Sequence, residues 1–175
     1  MNKGLVLYKS KYGAVKKYTA MLKSELPCDI CEIGKDKLPD FNPYDWIVFA
    51  GGIYAGGISG LHILKKNYKH LASQKLVVFC VGASPYDEKS FTELKVHNFR
   101  GDLENIPVFY GRGMWDESKM SWKDRALCKM LQKAVAKKDP SSCEPWMKAL
   151  LCSAGTACDW TDRSYLIPLL SYLKA

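Results

Sequence analysis

The sequence predicts an α/β doubly wound fold, in which a parallel sheet carries helices on both faces. Three observations predict it. Short, nearly continuous apolar runs recur at residues 4–8, 46–50 and 76–81, and such runs suit strands buried on both sides. Helical periodicity alternates with them: Val15, Tyr18, Met21, Leu22 and Leu26 recur at helical spacing, as do Leu61, Leu64, Tyr68 and Leu71. Unusual loops follow the first, third and fourth strands, where an open parallel sheet binds its ligands.

In chain order, strand 4–8 leads into a first helix that Pro27 stops. A second strand covers 29–33. The connection 39–44 (PDFNPY) reads as short, so either a minimal helix or a loop makes the crossing that parallel strands require. Strand 46–50, helix 61–71, strand 76–81, a helix within 88–99 and strand 107–111 complete five strands. Residues 112–157 interrupt the pattern. A loop of that length is uncommon without structure of its own, so two inserted helices are expected, near 119–137 and 144–152. A closing helix is expected to run from Asp159 or Trp160 to Leu173.

The 175 residues, 47% of them hydrophobic, suffice for one well-buried core and point to a single domain over 1–175. No apolar run approaches the roughly 20 residues of a membrane-spanning helix. The start, Met1 to Gly4, lacks an apolar segment followed by a small-residue cleavage site, so a cytoplasmic protein is expected. A net charge of +8 favours an acidic partner or substrate. The excess is concentrated late, where Lys119, Lys123, Arg125, Lys129, Lys133, Lys137 and Lys138 face a single acid, Asp124. That stretch reads as a solvated helix face, and no specific nucleic-acid partner is expected.

Seven cysteines without an export signal suggest free thiols. Cys28 and Cys31 form a CxxC, but within a strand this spacing sends the two side chains to opposite faces, so both read as structural. Cys143, Cys152 and Cys158 lack a second CxxC and a nearby histidine, and His62, His70 and His97 are scattered. No metal site is expected.

The three loops carry the chemistry. The first, Lys9 to Val15, would bring backbone N–H groups, the Ser10 hydroxyl and a helix N-terminus to one point, as a phosphate dianion requires. Lys11, Lys16 or Lys17 would add charge, although serine is also an ordinary helix cap. The second, GGIYAGGISG, has Gly51, Gly52, Gly56, Gly57 and Gly60 around Ile53, Tyr54 and Ala55, a density that allows main chain to approach a flat ligand. The third, VGASPYDEKS, offers backbone donors at Gly82, Ala83 and Ser84, then Tyr86 and Asp87. Two tyrosines on separate loops could sandwich a planar ring or pack on their own scaffolds. No GxGxxG follows the first strand and no GxxxxGK[ST] occurs, which argues against dinucleotide and nucleoside triphosphate sites. GASPY misses the GxSxG nucleophile elbow, so hydrolysis is disfavoured.

With these loops in place, YKSKYGAVKKYTAML, AGGIYAGGISGL and VGASPYD resemble the flavodoxin family over almost the whole chain. They are especially similar to the branch that includes the quinone-linked protoporphyrinogen oxidases, where SKYG stands in the first loop. The resemblance implies a flavodoxin-like sandwich with a five-stranded parallel sheet of order 2-1-3-4-5 and a helical insert over about 112–157. It implies non-covalent FMN, with the phosphate on Ser10, Lys11, Tyr12, Gly13, Ala14 and Val15. The ring would lie between Gly51, Gly52, Ile53, Tyr54, Ala55 and Gly56 on one side and Gly82, Ala83, Ser84, Tyr86 and Asp87 on the other.

The implied activity is electron or hydride transfer, with a protein or a quinone as redox partner and protoporphyrinogen oxidation as one candidate reaction. The basic insert, with Arg112, Met114, Trp115, Trp122 and Arg125, suits an acidic, flat, apolar substrate or a peripheral membrane contact; the alternative is that its aromatics close the insert onto the core. Two departures stand out. Ala14 and Val15 occupy positions where the family commonly has hydroxyl side chains, which leaves a weakened or lost flavin site as the competing reading. The chain is also basic, whereas electron-carrier flavodoxins are acidic.

Overall fold

The computed structural model describes residues 3–71 and 74–175. Met1 and Asn2, part of the stretch read above for an export signal, lie outside the described residues. Five strands, β1 (Gly4–Lys9), β2 (Cys28–Glu32), β3 (Trp46–Tyr54), β5 (Lys75–Gly82) and β6 (Val108–Arg112), form a parallel sheet of order β2-β1-β3-β5-β6. This is the expected order once β4 (Gly57–Ile58) is counted, a short strand that folds back antiparallel on β3.

Alternation along each strand feeds two separate cores. Leu5, Leu7, Ile47, Phe49, Val78 and Cys80 face one side, beneath α2 (Leu61–Leu71) and α3 (Glu88–Asn98). Val6, Tyr8, Val48, Val77, Phe79 and Val81 face the other, beneath α1 (Ala14–Glu25) and α6 (Ile167–Lys174). The central strands bury both faces, which explains their lack of polar alternation.

The helices form where apolar spacing and end signals coincide. α1 buries Val15, Tyr18, Thr19 and Leu22, one stripe at steps of three and four, and ends where Leu26 turns extended ahead of Pro27. α3 starts at Asp87, whose carboxylate accepts from the Ser90 N–H at 2.8 Å. A loop makes the crossover between β2 and β3. Pro39 and Pro43 remove donors and disfavour a helix there, and the loop tucks Phe41 and Tyr44 into the core in a helix's place. Cys28 and Cys31 lie against opposite cores, as their spacing implied.

After β6 the chain forms β7 (Met114–Asp116), α4 (Trp122–Val135), α5 (Pro145–Cys152) and β8 (Ala157–Asp159). β7 and β8 pair antiparallel as a small second sheet. The segment is therefore not wholly helical, because Ala157 to Asp159 pair with β7 instead of opening the closing helix. That helix begins later than expected. Asp162 caps a 3-10 turn at Arg163–Leu166, and α6 proper follows with Pro168 in its first turn, where proline needs no hydrogen-bond partner. Among the described residues no helix is long and apolar enough to cross a membrane.

Candidate functional site

The loop after β1 turns sharply at Gly13, whose φ of 97° lies in the left-handed region that favours glycine. Gly13 is also the residue from which α1 starts. The Ser10 hydroxyl oxygen accepts from the Gly13 N–H at 3.2 Å and from the Lys16 N–H at 3.4 Å, drawing the loop into a ring. Its own O–H remains available as a donor. Ala14 and Val15 open α1, where no preceding turn supplies a carbonyl for their N–H groups. Val15 turns its side chain into the core, 3% exposed, so only its backbone can serve the loop.

The second loop is in large part a hairpin. β3 continues through Gly51, Gly52 and Ile53 to Tyr54, the turn is made by Ala55 (φ 47°) and Gly56 (φ 77°), and β4 returns. Most of the glycine density has this structural origin. A Cβ on Gly51 would lie 2.6 Å from the Ser59 carbonyl oxygen and 2.7 Å from Ile58, and one on Gly52 would lie 2.9 Å from the Tyr54 ring. That ring bends back toward the first loop, meeting Tyr12 edge-on at 6.2 Å between centroids, with the Lys11 ammonium 5.4 Å from its centre. Desolvation and the neighbouring Tyr12 push the Tyr54 phenol up to about 12, so it stays a neutral O–H.

The third loop is braced from β6. Tyr110 donates its O–H to the Ser84 carbonyl at 2.5 Å, Arg112 Nε donates to the Ala83 carbonyl at 3.0 Å, and the Gly113 N–H donates to the Gly82 carbonyl at 2.7 Å. Tyr86 packs on its own scaffold, with Phe91 at 5.4 Å and Tyr110 at 5.8 Å, and its hydroxyl donates to Glu88. It is not paired with Tyr54. Asp87 is occupied in capping α3.

The three loops meet at the carboxyl edge of the sheet. Tyr12 and Tyr54 join the first and second. The second and third meet where a Cβ on Gly82 would lie 3.3 Å from Ile53 Cδ1. Gly113 joins the first and third: its own Cβ would fall 3.2 Å from the Ala14 Cβ and 3.5 Å from the Gly82 carbonyl oxygen.

The inserted segment grips the first loop from outside. Lys11 and Tyr12 both bind the Asp124 carboxylate of α4, and the Ser121 N–H donates to the Tyr12 hydroxyl at 3.2 Å. The Lys11 ammonium, with help from Tyr12, holds the Asp124 carboxyl below the usual aspartate range. Lys17 pairs with Asp159 of β8 at 2.6 Å. Burial alone would raise the Asp159 carboxyl, but hydrogen bonds from Lys17 and Thr161 bring it down to about 2.

A flavodoxin-domain family model matches residues 5–142, most of the chain and all three loops. The chain belongs to the flavodoxin family. Among solved structures it is similar to a flavoprotein in complex with FMN from Lactobacillus acidophilus, at 18% identity over 64% of this chain and 93% of that one, with a TM-score of 0.46. It is also similar to a flavodoxin, a WrbA-like protein, from Agrobacterium tumefaciens, at 18% identity over 71% and 88% of the two chains and a TM-score of 0.45. No curated protein sequence matches it.

In this flavodoxin, two acids beside the loops were not singled out from the sequence as site residues. Asp124 reaches the first loop and Asp159 reaches Lys17 of α1 from far along the chain, and their only visible signal was that Asp124 is the sole acid in a basic stretch. Arg112 lies 3.9 Å over the Trp160 ring while bonded to the third loop, placing a flat, cationic surface beside Ala83. Arg125 is committed inward, donating to the carbonyls of Glu117, Ser118 and Met120. Lys9 donates to the Ile33 carbonyl at 2.9 Å. Both lysines of the first loop, Lys9 and Lys11, and Lys17 of α1 thus have partners within the protein.

Proposed function

We propose that this flavodoxin binds FMN non-covalently where its three loops meet and works as a redox protein. The observation that carries the reading is the ring at Ser10 and Gly13. It holds the start of α1 in the loop that carries Tyr12, which meets Tyr54 edge-on, and the N–H groups of Ala14 and Val15, which have no carbonyl from a preceding turn, form a donor set that suits a phosphate dianion. Ser10, Gly13, Ala14 and Val15 would hold the phosphate through the serine hydroxyl and backbone donors. The segment from Gly52 to Gly56 and the loop from Gly82 to Asp87 would flank the ring. FMN, when bound, supplies one- and two-electron chemistry. The protein's own part is to hold the phosphate end, to exclude water with the hairpin at Tyr54, and to fix the third loop's carbonyls through Tyr110, Arg112 and Gly113.

The finer reading is an oxidoreductase like the quinone-linked protoporphyrinogen oxidases, with a quinone or a protein as redox partner. Arg112 stacked on Trp160 supports it, because a flat cationic surface beside the third loop suits a planar, acidic substrate. Consumption of protoporphyrinogen with a quinone acceptor tests it directly, and absence of turnover leaves a carrier of electrons between proteins. The test of FMN binding is the visible absorption spectrum of freshly purified protein, followed by fluorescence titration with FMN. A colourless protein that leaves FMN fluorescence unquenched overturns the reading.

A second reading is favoured by two specific observations: Val15 gives no hydroxyl to the loop, and the Asp124 carboxylate sits on Lys11 and Tyr12. On that reading the chain is a flavodoxin-like binding or scaffold protein with a weakened or lost flavin site. Melting with and without FMN separates the two, since a ligand that binds only the folded state raises the melting temperature.

A further inference from the structure

The outer face of α4 carries an unusual set of side chains. Trp122 is 75% exposed, Met130 60%, Leu127 43% and Leu131 37%. At 3.6 residues per turn, Trp122, Ala126, Met130 and Ala134 stack in a row, with Leu127 and Leu131 beside them. Lys129 and Lys133 border this row on one side, Lys123 stands in line with Leu127 and Leu131 on the other, and all three are exposed. The inner face holds the polar and anchoring groups: Asp124 on Lys11 and Tyr12, Gln132 on Glu117 at 2.7 Å, Arg125 on three carbonyls, and Val135 in the interior. A helix on a soluble domain normally turns its apolar stripe inward. Here the apolar row faces out.

The charges on that face are one-sided. Lys123, Lys129, Lys133 and Lys137 have no carboxylate partner among the described residues. The one acid of the helix is turned away, drawn in by the first loop.

We propose that the outer face of α4 docks on an anionic lipid surface, with Trp122, Met130, Leu127 and Leu131 entering the headgroup and acyl boundary and Lys123, Lys129 and Lys133 reaching lipid phosphates. Charge complementarity and shape favour lipid over a folded partner. The apolar and cationic side chains interleave on the outer face of a single helix, and long lysine stems can lay their methylenes along apolar surface while their ammonium groups stay at the phosphate plane. The inference stands independently of FMN binding, since among the described residues no hydrogen bond, ion pair or ring contact joins these side chains to the three loops.

The test is co-sedimentation of the full chain with vesicles of phosphatidylcholine alone or mixed with phosphatidylglycerol, at low and high salt. Binding is expected only to the mixed vesicles and is expected to weaken with salt. With ~1 kcal/mol for each lysine near the surface, the triple substitution Lys123→Glu, Lys129→Glu and Lys133→Glu should reduce partitioning by roughly 100-fold or more. Trp122→Ser with Met130→Ser should also reduce it, with the circular dichroism spectrum unchanged because both side chains are exposed. No sedimentation at low salt, equal binding to neutral vesicles, or variants that bind like the parent overturns the proposal. Two further outcomes also overturn it. Self-association abolished by the same substitutions, without vesicle binding, assigns the face to a second copy of the chain, and retention on polyglutamate alone assigns it to an acidic protein.

Discussion

Gly113 occupies the corner between β6 and β7, where the first and third loops leave no room for a side chain. In Gly113→Ala the new methyl would meet Val81 Cγ1 at 2.8 Å and the Ala14 Cβ at 3.2 Å. Overpacking of this kind costs about 1–3 kcal/mol, so the urea midpoint should fall with the slope unchanged. Val15 poses the opposite problem, an apolar side chain that the core holds away from the loop. Val15→Thr should lower the melting temperature of the flavin-free protein, because it buries a hydroxyl among apolar side chains. It should leave FMN affinity within about twofold of the parent by fluorescence titration, since position 15 offers the loop only its backbone. Ser10 and Gly13 were legible in the sequence because their task is local: a serine, a tight turn and a helix start within six residues. Asp124 was not, because its bond to Tyr12 spans 112 positions of chain and no local pattern encodes so distant a contact.

The inserted elements act on the site through two carboxylates, and each makes a measurable claim. Asp124→Asn ends the ion pair with Lys11 but keeps an acceptor for Tyr12. The pair is partly exposed, so stability should change by less than about 1 kcal/mol. FMN should bind several-fold more tightly, because a negative charge has left the neighbourhood of the phosphate. Asp159 carries a pH signature. Its folded-state value is depressed from 3.8 to about 2, so its contribution is fully present above about 4 and is lost as pH falls through about 2. Acid titration of stability should therefore show parent and Asp159→Asn diverging above pH 4 and converging toward pH 2.

Element boundaries were read less well than element types. The glycine-rich stretch after β3 reads as a loop from composition, yet its main chain continues as strand and hairpin, because glycine there answers crowding from Ser59 and Ile58 as well as turn geometry. The closing helix reads as starting at Asp159 because apolar spacing alone does not reveal that residues 157–159 have a strand partner at 114–116.

Across the whole molecule, the two cores were foreshadowed by the unbroken apolar composition of β3 and β5, whereas the strand order was implied by the family resemblance alone. The route of the β2 to β3 crossing was left open by the sequence between a minimal helix and a loop, since Phe41 and Tyr44 reveal their burial only in three dimensions. One face of the sheet depends on α6, which buries Leu166 from its leading turn together with Leu169, Leu170 and Leu173. Leu169 is fully buried, so Leu169→Ala should cost about 2–5 kcal/mol, measurable by urea unfolding. The position of α6 in the chain also bears on biosynthesis. All five parallel strands are made before α6, which shares the cover of this face with α1, and at ~5–20 residues per second the roughly 55 residues between β6 and α6 take several seconds to synthesise. During that interval part of an apolar sheet face stays uncovered on the nascent chain. Cells producing this protein would then be expected to need chaperone capacity in proportion to its rate of translation.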